Sequence, residues 1–569
     1  MNLKIILMSI VIASATSSII VTSTGPVLGK LVEDDMGVSY YAYQGIPYAE
    51  SPEGHLRFKP PVPKKPRTTV WNATKKGPVC PQAEGKFKRE EMNEDCLHLN
   101  ILVPAANETK LRPVFFYIHG GAFKSNAGNI DEYGPHFFLE QQIIYVSVNY
   151  RLGALGFLQI DTEEALEKGV EAPGNAGIKD VLLALKWTKD NIKKFGGRTI
   201  TIGGESSGAA LVHYLLLTEK STGLFERAIL MSGGVTNHRF FSNYPEHHAL
   251  ALAKALGYPT DDIPALMQNF INTNVFDIVE AQENLYKNNR NIMKPFAPFV
   301  PCKESESCHA VLTKHPKDII QSGIPQNIPL LIGINSEEGI YMWPSLIKKP
   351  IQELKQNFSL CIPYDIEYPI NSKNYKRLVA DISNLYFGGT NLSDWTLTNF
   401  FKLLSDTQYA SNVDLWLRIH TQKSDSKPVY YYNFNFDGGL NYAKIRYNIE
   451  FPGTAHADYI GYMFVTDVTR PLLKDTDQRT RNTLKNTITY LSNFIKCGNP
   501  SPKGHGNEVT WPESGRQRYH LLLNDTPKFE LQPPFKIRFD FWDSVYRTYS
   551  NYLKKGGMRE PRLPPNFAA

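Results

Sequence analysis

After its first residues the sequence has no long apolar run. No later stretch reaches the ~18 consecutive apolar residues of a membrane-crossing helix, so no transmembrane span is expected. Cysteine is scarce, with six among 569 residues, and no C-x-x-C pair or clustered His/Cys spacing occurs. A metal site is therefore the poorer reading of the cysteines, and the adjacent His247 and His248 read as helix surface. Charge of either sign is barely in excess: 62 basic against 56 acidic residues, net +6. The basic group Lys64, Lys65 and Arg67 sits between prolines and reads as solvated loop, which argues against a nucleic-acid surface. Internal repeats and low-complexity tracts are absent. The last residues, RLPPNFAA, form neither an ER-retention tetrapeptide nor an apolar anchor tail.

What is present suits a large folded core: 42% hydrophobic and 21% charged residues. The opening MNLKIILMSIVIASATSS has one lysine, an apolar stretch and then small residues. It reads as a secretory signal peptide over 1–17, cut after Ala15 or Ser17. Residues 18–569 are then expected to form one soluble, exported domain. Sequons at Asn72, Asn107, Asn357, Asn391 and Asn524 fit export, the last weakened by Pro527. The even cysteine count (Cys80, Cys96, Cys302, Cys308, Cys361, Cys497) permits disulfides in an oxidising compartment.

Short apolar runs alternate with helical patterns. Strands are expected at Pro113–His119, Ile143–Tyr150, Thr199–Gly204, Arg227–Gly233, Ile328–Asn335 and Pro428–Phe436. Continuous apolar runs separated by helices, such as Ile178–Phe195, argue a largely parallel sheet covered on both faces. The stretches 238–325 and 345–425 interrupt that rhythm and read as helical excursions able to wall a pocket.

In TIGGESSGAA (Thr201–Ala210) a strand meets glycines, two serines and a helix. Gly204, Ser206 and Gly208 have the spacing G-x-S-x-G of a sharp strand-to-helix turn that presents a serine oxygen. The spacing selects Ser206 over Ser207. A serine nucleophile needs a histidine base, an orienting carboxylate and oxyanion donors. Candidates follow strands in the order Ser, Glu, His: YIHGGAF for the donors, Glu337 or Glu338 in GINSEEG, and His456 in GTAHADY. Taken singly, His119 could be a core histidine, the two glutamates a solvated turn, and His456 one of 14 histidines.

At these residues the chain resembles the type-B carboxylesterase and cholinesterase family, most of all the secreted insect carboxylesterases. The resemblance spans nearly the whole mature chain, through YQGIPYAESPEGHLRFKPP, NEDCLHLNI, NYRLGALGFL, GNAGIKD, GGESSG, MSGG and GTAHADYIGYMF. It implies an α/β-hydrolase fold, a central mostly parallel twisted sheet flanked by helices, with helical insertions walling an active-site gorge. It implies a triad of Ser206, Glu338 and His456, and chooses Glu338 because the acid precedes the glycine in the family pattern. It places the oxyanion hole on the N–H groups of Gly121, Ala122 and Ser207, with Glu205 and Ser232 supporting the triad. It pairs Cys80 with Cys96, and implies ion pairs Arg57–Glu94 and Arg151–Asp180.

The chain also departs from the family. Ser207 stands where alanine is usual, Ala122 where a third glycine is usual, and Val181 where glutamine is frequent. Ala122 keeps the N–H while its Cβ narrows the space beside it. Cys302 and Cys308 do not match the family's second loop, and their spacing allows a small local bridge. The loop PQAEGKFKREEMNED between Cys80 and Cys96 is short, has three basic residues and lacks the tryptophan that cholinesterases place against a quaternary ammonium, which argues against acetylcholine. Juvenile hormone esterases typically have glutamine at the position of Glu205.

The expected activity is hydrolysis of small to medium apolar esters (odorant, hormone or xenobiotic) through an acyl-enzyme. No metal or organic cofactor and no nucleic-acid partner is implied, and a monomer or weak homodimer is expected. Juvenile hormone esterase is the alternative, and a non-catalytic adhesion relative a second; such relatives typically lose triad members, and this chain has all three.

Overall fold

The computed structural model describes residues 17–105, 110–287, 298–346, 371–389, 397–422, 427–504 and 509–554, with isolated positions between 358 and 369. Residues 1–16, most of the expected signal peptide, lie outside them, as do Asn107, Asn357, Asn391 and Cys361.

A 13-stranded sheet runs through the molecule. Its N-terminal flank comprises β1 (Ser17–Thr22), β2 (Gly25–Glu33), β3 (Ser39–Pro47), the short β4 (Trp71–Asn72) and β5 (His98–Pro104). The flank pairs antiparallel, apart from β4 on β2, and joins the rest through β5 on β7 (Ile144–Val148). The centre is parallel: β7, β6 (Arg112–Ile118), then β10 (Gly197–Glu205), β11 (Arg227–Met231), β12 (Leu330–Asn335), β13 (Val429–Phe434) and β14 (His520–Leu523). An antiparallel β15 (Lys528–Glu530) closes the far edge. Between β7 and β10 in sequence, β8 (Gln159–Ile160) and β9 (Ala172–Pro173) form a separate two-stranded sheet. Each of the six expected runs is therefore a strand of the parallel centre.

The central strands are apolar throughout because both faces are covered. Along β6, Val114, Phe116 and Ile118 enter one core while Phe115 and Tyr117 enter another on the opposite face. Helices α1 (Ala176–Asn191) and α2 (Ser207–Leu217) line the first core. The second includes Ile488, Leu491, Phe494 and Ile495 of a helix over Gln478–Cys497. The flank obeys a different rule. β1 alternates outward and inward residues and leaves Ile19 and Val21 exposed.

Cys80 and Cys96 are joined, with Cα atoms 5.0 Å apart. Arg57 binds Glu94 through two contacts of 2.8 and 2.5 Å, and Arg151 binds Asp180 at 2.8 and 2.6 Å. The local bridge allowed by sequence between Cys302 and Cys308 is not formed: both thiols are free. Cys302 is turned into the core, its Sγ 3.8 Å from Asn175 Oδ1, whereas Cys308 is exposed at the surface.

Candidate active site

Ser206 is the single residue between β10 and α2, and it has φ 57° and ψ −122°. This is strained backbone for a residue with a side chain, held by its surroundings. Its N–H donates to Met231 O at 2.9 Å, and its carbonyl accepts from Ala210 N at 3.1 Å. The flanking glycines are needed for close approach rather than flexibility. A Cβ on Gly204 would lie 2.5 Å from the Gly208 carbonyl, and one on Gly208 would lie 2.2 Å from Ile118 O. Ser207 is fully buried as the first residue of α2. Beside it, the turn after β6 carries Gly121 at φ 119° and Ala122 at φ 56°. A Cβ in that left-handed region costs about 1 kcal/mol, so Ala122 adds strain where the family has glycine.

The turn beyond β12 brings Glu338 under the site, with no exposed surface. Its Oε1 accepts from Asn335 N at 2.7 Å and Ser232 Oγ at 2.6 Å. Its Oε2 lies 2.7 Å from His456 Nδ1. The two backbones are tied as well: His456 N donates to Glu338 O at 3.2 Å, and Asn335 Nδ2 to Ala455 O at 2.6 Å. Glu337 points elsewhere. It meets residue 454 only through its own N–H, and burial pushes its carboxyl up to about 7. Of the adjacent carboxylates, geometry thus brings Glu338 to the imidazole.

His456 is 3% exposed and faces acid on both sides. Its Nε2 lies 3.0 Å from Glu205 Oε1, without an aligned hydrogen bond. Burial pushes the Glu205 carboxyl up to about 7, with His456 pulling it down and Glu338 pushing it further up. For His456 itself, burial lowers the pKa, but Glu205, the Glu338 hydrogen bond and the Glu338 charge outweigh it and leave it above its ordinary value. A buried carboxylate on each nitrogen favours the imidazolium, the form a general base becomes on taking a proton.

Two tyrosines complete the setting of His456. Tyr409 stacks on the ring at 4.1 Å and 25°, and Tyr341 meets it edge-on at 5.3 Å. Tyr409 belongs to a π-helical turn, Asp406–Ala410, between the helices α3 (Leu397–Ser405) and α4 (Ser411–Thr421). The turn is anchored from behind: Asp406 Oδ2 accepts from Tyr386 hydroxyl at 2.5 Å and pairs with Arg538 at 3.1 Å. Such one-turn bulges are frequent at functional sites. Sequence reasoning did not find Tyr341 or Tyr409. They are two of 30 tyrosines, and no local spacing marks a π turn.

Of the candidate glycosylation sites that are described, Asn72 is exposed and Asn524 is half-buried, its Nδ2 donating to Asn435 Oδ1 at 3.0 Å. Among the described residues no group of three His, Cys, Asp or Glu stands where it could hold a metal ion, and no helix is long and apolar enough to cross a membrane.

Comparison with known proteins identifies the family. The carboxylesterase family profile matches residues 16–542. The chain is 30% identical over 509 residues to a juvenile hormone esterase of Heliothis virescens, covering 86% of this chain and 87% of that one. It is 32% identical over 517 residues to esterase FE4 of Myzus persicae, covering 88% of each. Among solved structures it is similar to the juvenile hormone esterase of Manduca sexta with OTFP covalently attached: TM-score 0.81, 26% identity, 93% of this chain and all of that one. A profile that runs over nearly the whole chain, and a buried Ser232–Glu338–His456 arrangement beside the elbow, give one conclusion: the protein is a carboxylic ester hydrolase belonging to the carboxylesterase family.

Proposed function

We propose that the chain is a secreted serine carboxylesterase acting on small to medium apolar esters such as odorant, hormone or xenobiotic esters. The observation that carries the mechanism is His456, held by Glu338 on Nδ1 with Nε2 beside Glu205, the residue next to Ser206. Ser206 Oγ attacks the ester carbonyl and His456 Nε2 takes its proton. The N–H groups of Gly121, Ala122 and Ser207 receive the oxyanion. His456 then protonates the departing alcohol, leaving an acyl-enzyme, and activates the water that hydrolyses it. Glu338 orients the ring and stabilises the imidazolium, with Ser232 fixing Glu338. Export is supported by the N-terminal apolar segment, the Cys80–Cys96 bridge and the exposed sequon at Asn72. The mature chain from residue 18 acts as one domain, monomeric or weakly dimeric.

Treatment with a fluorophosphonate, followed by mass spectrometry, should place the label on Ser206. A panel of acetates, longer-chain esters and juvenile hormone should show turnover of at least one member. Label on another residue, or a panel with no turnover, would sink this reading. Juvenile hormone hydrolysis is the second reading, favoured by the full-length match to the Manduca sexta enzyme. Glu205 counts against it, and the hormone arm of the panel decides.

A further inference from the structure

The turn after β6 is strained at two successive non-glycine residues, Ala122 at φ 56° and Phe123 at φ 60°. Such backbone persists only where its surroundings hold it. The Ser206 turn packs against its start: a Cβ on Gly120 would lie 2.6 Å from Glu205 O and 3.2 Å from Ser206 Cβ. Its far side belongs to a closed circuit of three segments, each supplying two consecutive residues. Phe123 O accepts from Gly153 N at 2.7 Å. Ala154 N donates to Gln282 Oε1 at 2.7 Å. Glu283 then binds Lys124 Nζ through both carboxylate oxygens at 3.0 Å, which returns the circuit to the turn. Gln282 and Glu283 lie on the helix Val275–Lys287, whose Tyr286 ring meets the same ammonium at 4.1 Å. The Lys124 and Glu283 side chains are only 18% and 12% exposed.

We propose that Glu283 is a positioning residue, which acts through Lys124 to aim the Ala122 N–H at the ester oxyanion. The inference rests on the esterase reading of Ser206, with Gly121 and Ala122 as oxyanion donors. Lys124 is the link because it grips both sides. Its side chain is fixed by Glu283 and Tyr286, and its own N–H donates to Gly121 O at 3.0 Å, beside the Ser125 N–H at 3.0 Å. That carbonyl and the Ala122 N–H are opposite ends of one planar peptide group. Fixing the carbonyl therefore fixes the direction of the N–H. Oxyanion donors work by being in place before charge develops, and a shift of about 1 Å can cost about 100-fold in rate.

The test compares wild type with Glu283→Gln, counting active sites by fluorophosphonate labelling. Two inhibitors are used: hexyl trifluoromethyl ketone, which adds Ser206 Oγ to give a hemiketal oxyanion, and hexyl methyl ketone, whose unactivated carbonyl stays largely free. Glu283→Gln should lower kcat/KM for 4-nitrophenyl butyrate by about tenfold, part of the ~100-fold that loss of a whole oxyanion donor costs. It should weaken the trifluoromethyl ketone by the same factor and leave the methyl ketone unchanged, because only the first reports the oxyanion. Unchanged kcat/KM per labelled site, or equal weakening of both ketones, overturns the assignment. If Glu283→Gln does not fold, Lys124→Met breaks the same contact and carries the same test. Lys124→Glu, which sets two acids together, should lose more than either, and the swap Lys124→Glu with Glu283→Lys should recover part of that loss; no recovery overturns the pairing. Wild type that labels and turns over, with variants equal to it, fails Glu283 alone; wild type that does neither fails the esterase reading too.

Discussion

In the parallel centre, β10 ends at the Ser206 turn, the turn beyond β12 supplies Glu338, and the loop beyond β13 supplies His456; the flank β1–β5 ends on none of these three residues. The difference follows from strand direction. Parallel strands bring all their C-terminal ends to one edge, where side chains from distant segments converge. Antiparallel neighbours alternate their ends and cannot do this. The flank instead carries fastenings, with the Cys80–Cys96 bridge and Arg57–Glu94 near the start of β5. Changes in the centre should therefore remove activity, and changes near the flank should remove stability.

The largest effect is expected at the elbow. Ser206→Ala should lose turnover on the order of 10⁶-fold while folding normally, as in a comparable serine knockout. Substantial residual turnover would break the comparison at its strongest point. Next, Glu338→Gln should cost about 10⁴-fold in turnover, because an amide can hold the wrong tautomer and cannot stabilise the imidazolium. Glu337→Gln should cost little, since that side chain does not meet the ring; equal losses would mean the wrong carboxylate is assigned.

On the flank side, replacing Cys80 and Cys96 together by serine should lower stability by about 3 kcal/mol through the entropy of the unfolded chain. Turnover per folded molecule should stay near wild type. Denaturant unfolding combined with active-site titration separates the two quantities, and a large loss per titrated site would show that the flank shapes the chemistry.

A smaller effect sharpens the picture within the centre. Glu205 raises the His456 pKa. With the neutral Glu205→Gln, His456 should give up its proton at lower pH. The base form would then persist to lower pH, and the acid limb of kcat/KM should move down in pH. An unchanged or upward-moving limb would mean that Glu205 does not act on the base. The smallest effect belongs to Ser207→Ala, which keeps the backbone N–H and should change turnover by no more than a few-fold. A dead Ser207→Ala enzyme would reopen the question of which serine reacts.

Much of the centre was legible because its signals are local. An apolar run bounded by glycine, as in Thr199–Gly204, states both a strand and its end, and G-x-S-x-G states a steric requirement of neighbouring atoms. The flank was harder to read. β1 is half-buried and alternating, and β4 is two residues long, so neither forms a continuous run. The choice between Glu337 and Glu338 needed the family pattern, because adjacent acids have the same local chemistry and differ only in direction.

Sequence by itself determined the strand-to-helix turn at Ser206, the order of the parallel strands along the chain and which serine, acid and histidine residues were candidates for a site. These depend on periodicity and on the size of side chains at fixed spacing. Tertiary structure alone decided that Cys302 faces the core and Cys308 the surface, that Tyr409 covers His456 from a π-helical turn, and that Glu205 and Glu338 both lie against the His456 ring. The reason is distance along the chain. Glu205, Glu338, Tyr409 and His456 lie on separate segments, and burial places a charge beside an imidazole only after the sheet has brought those segments to one edge.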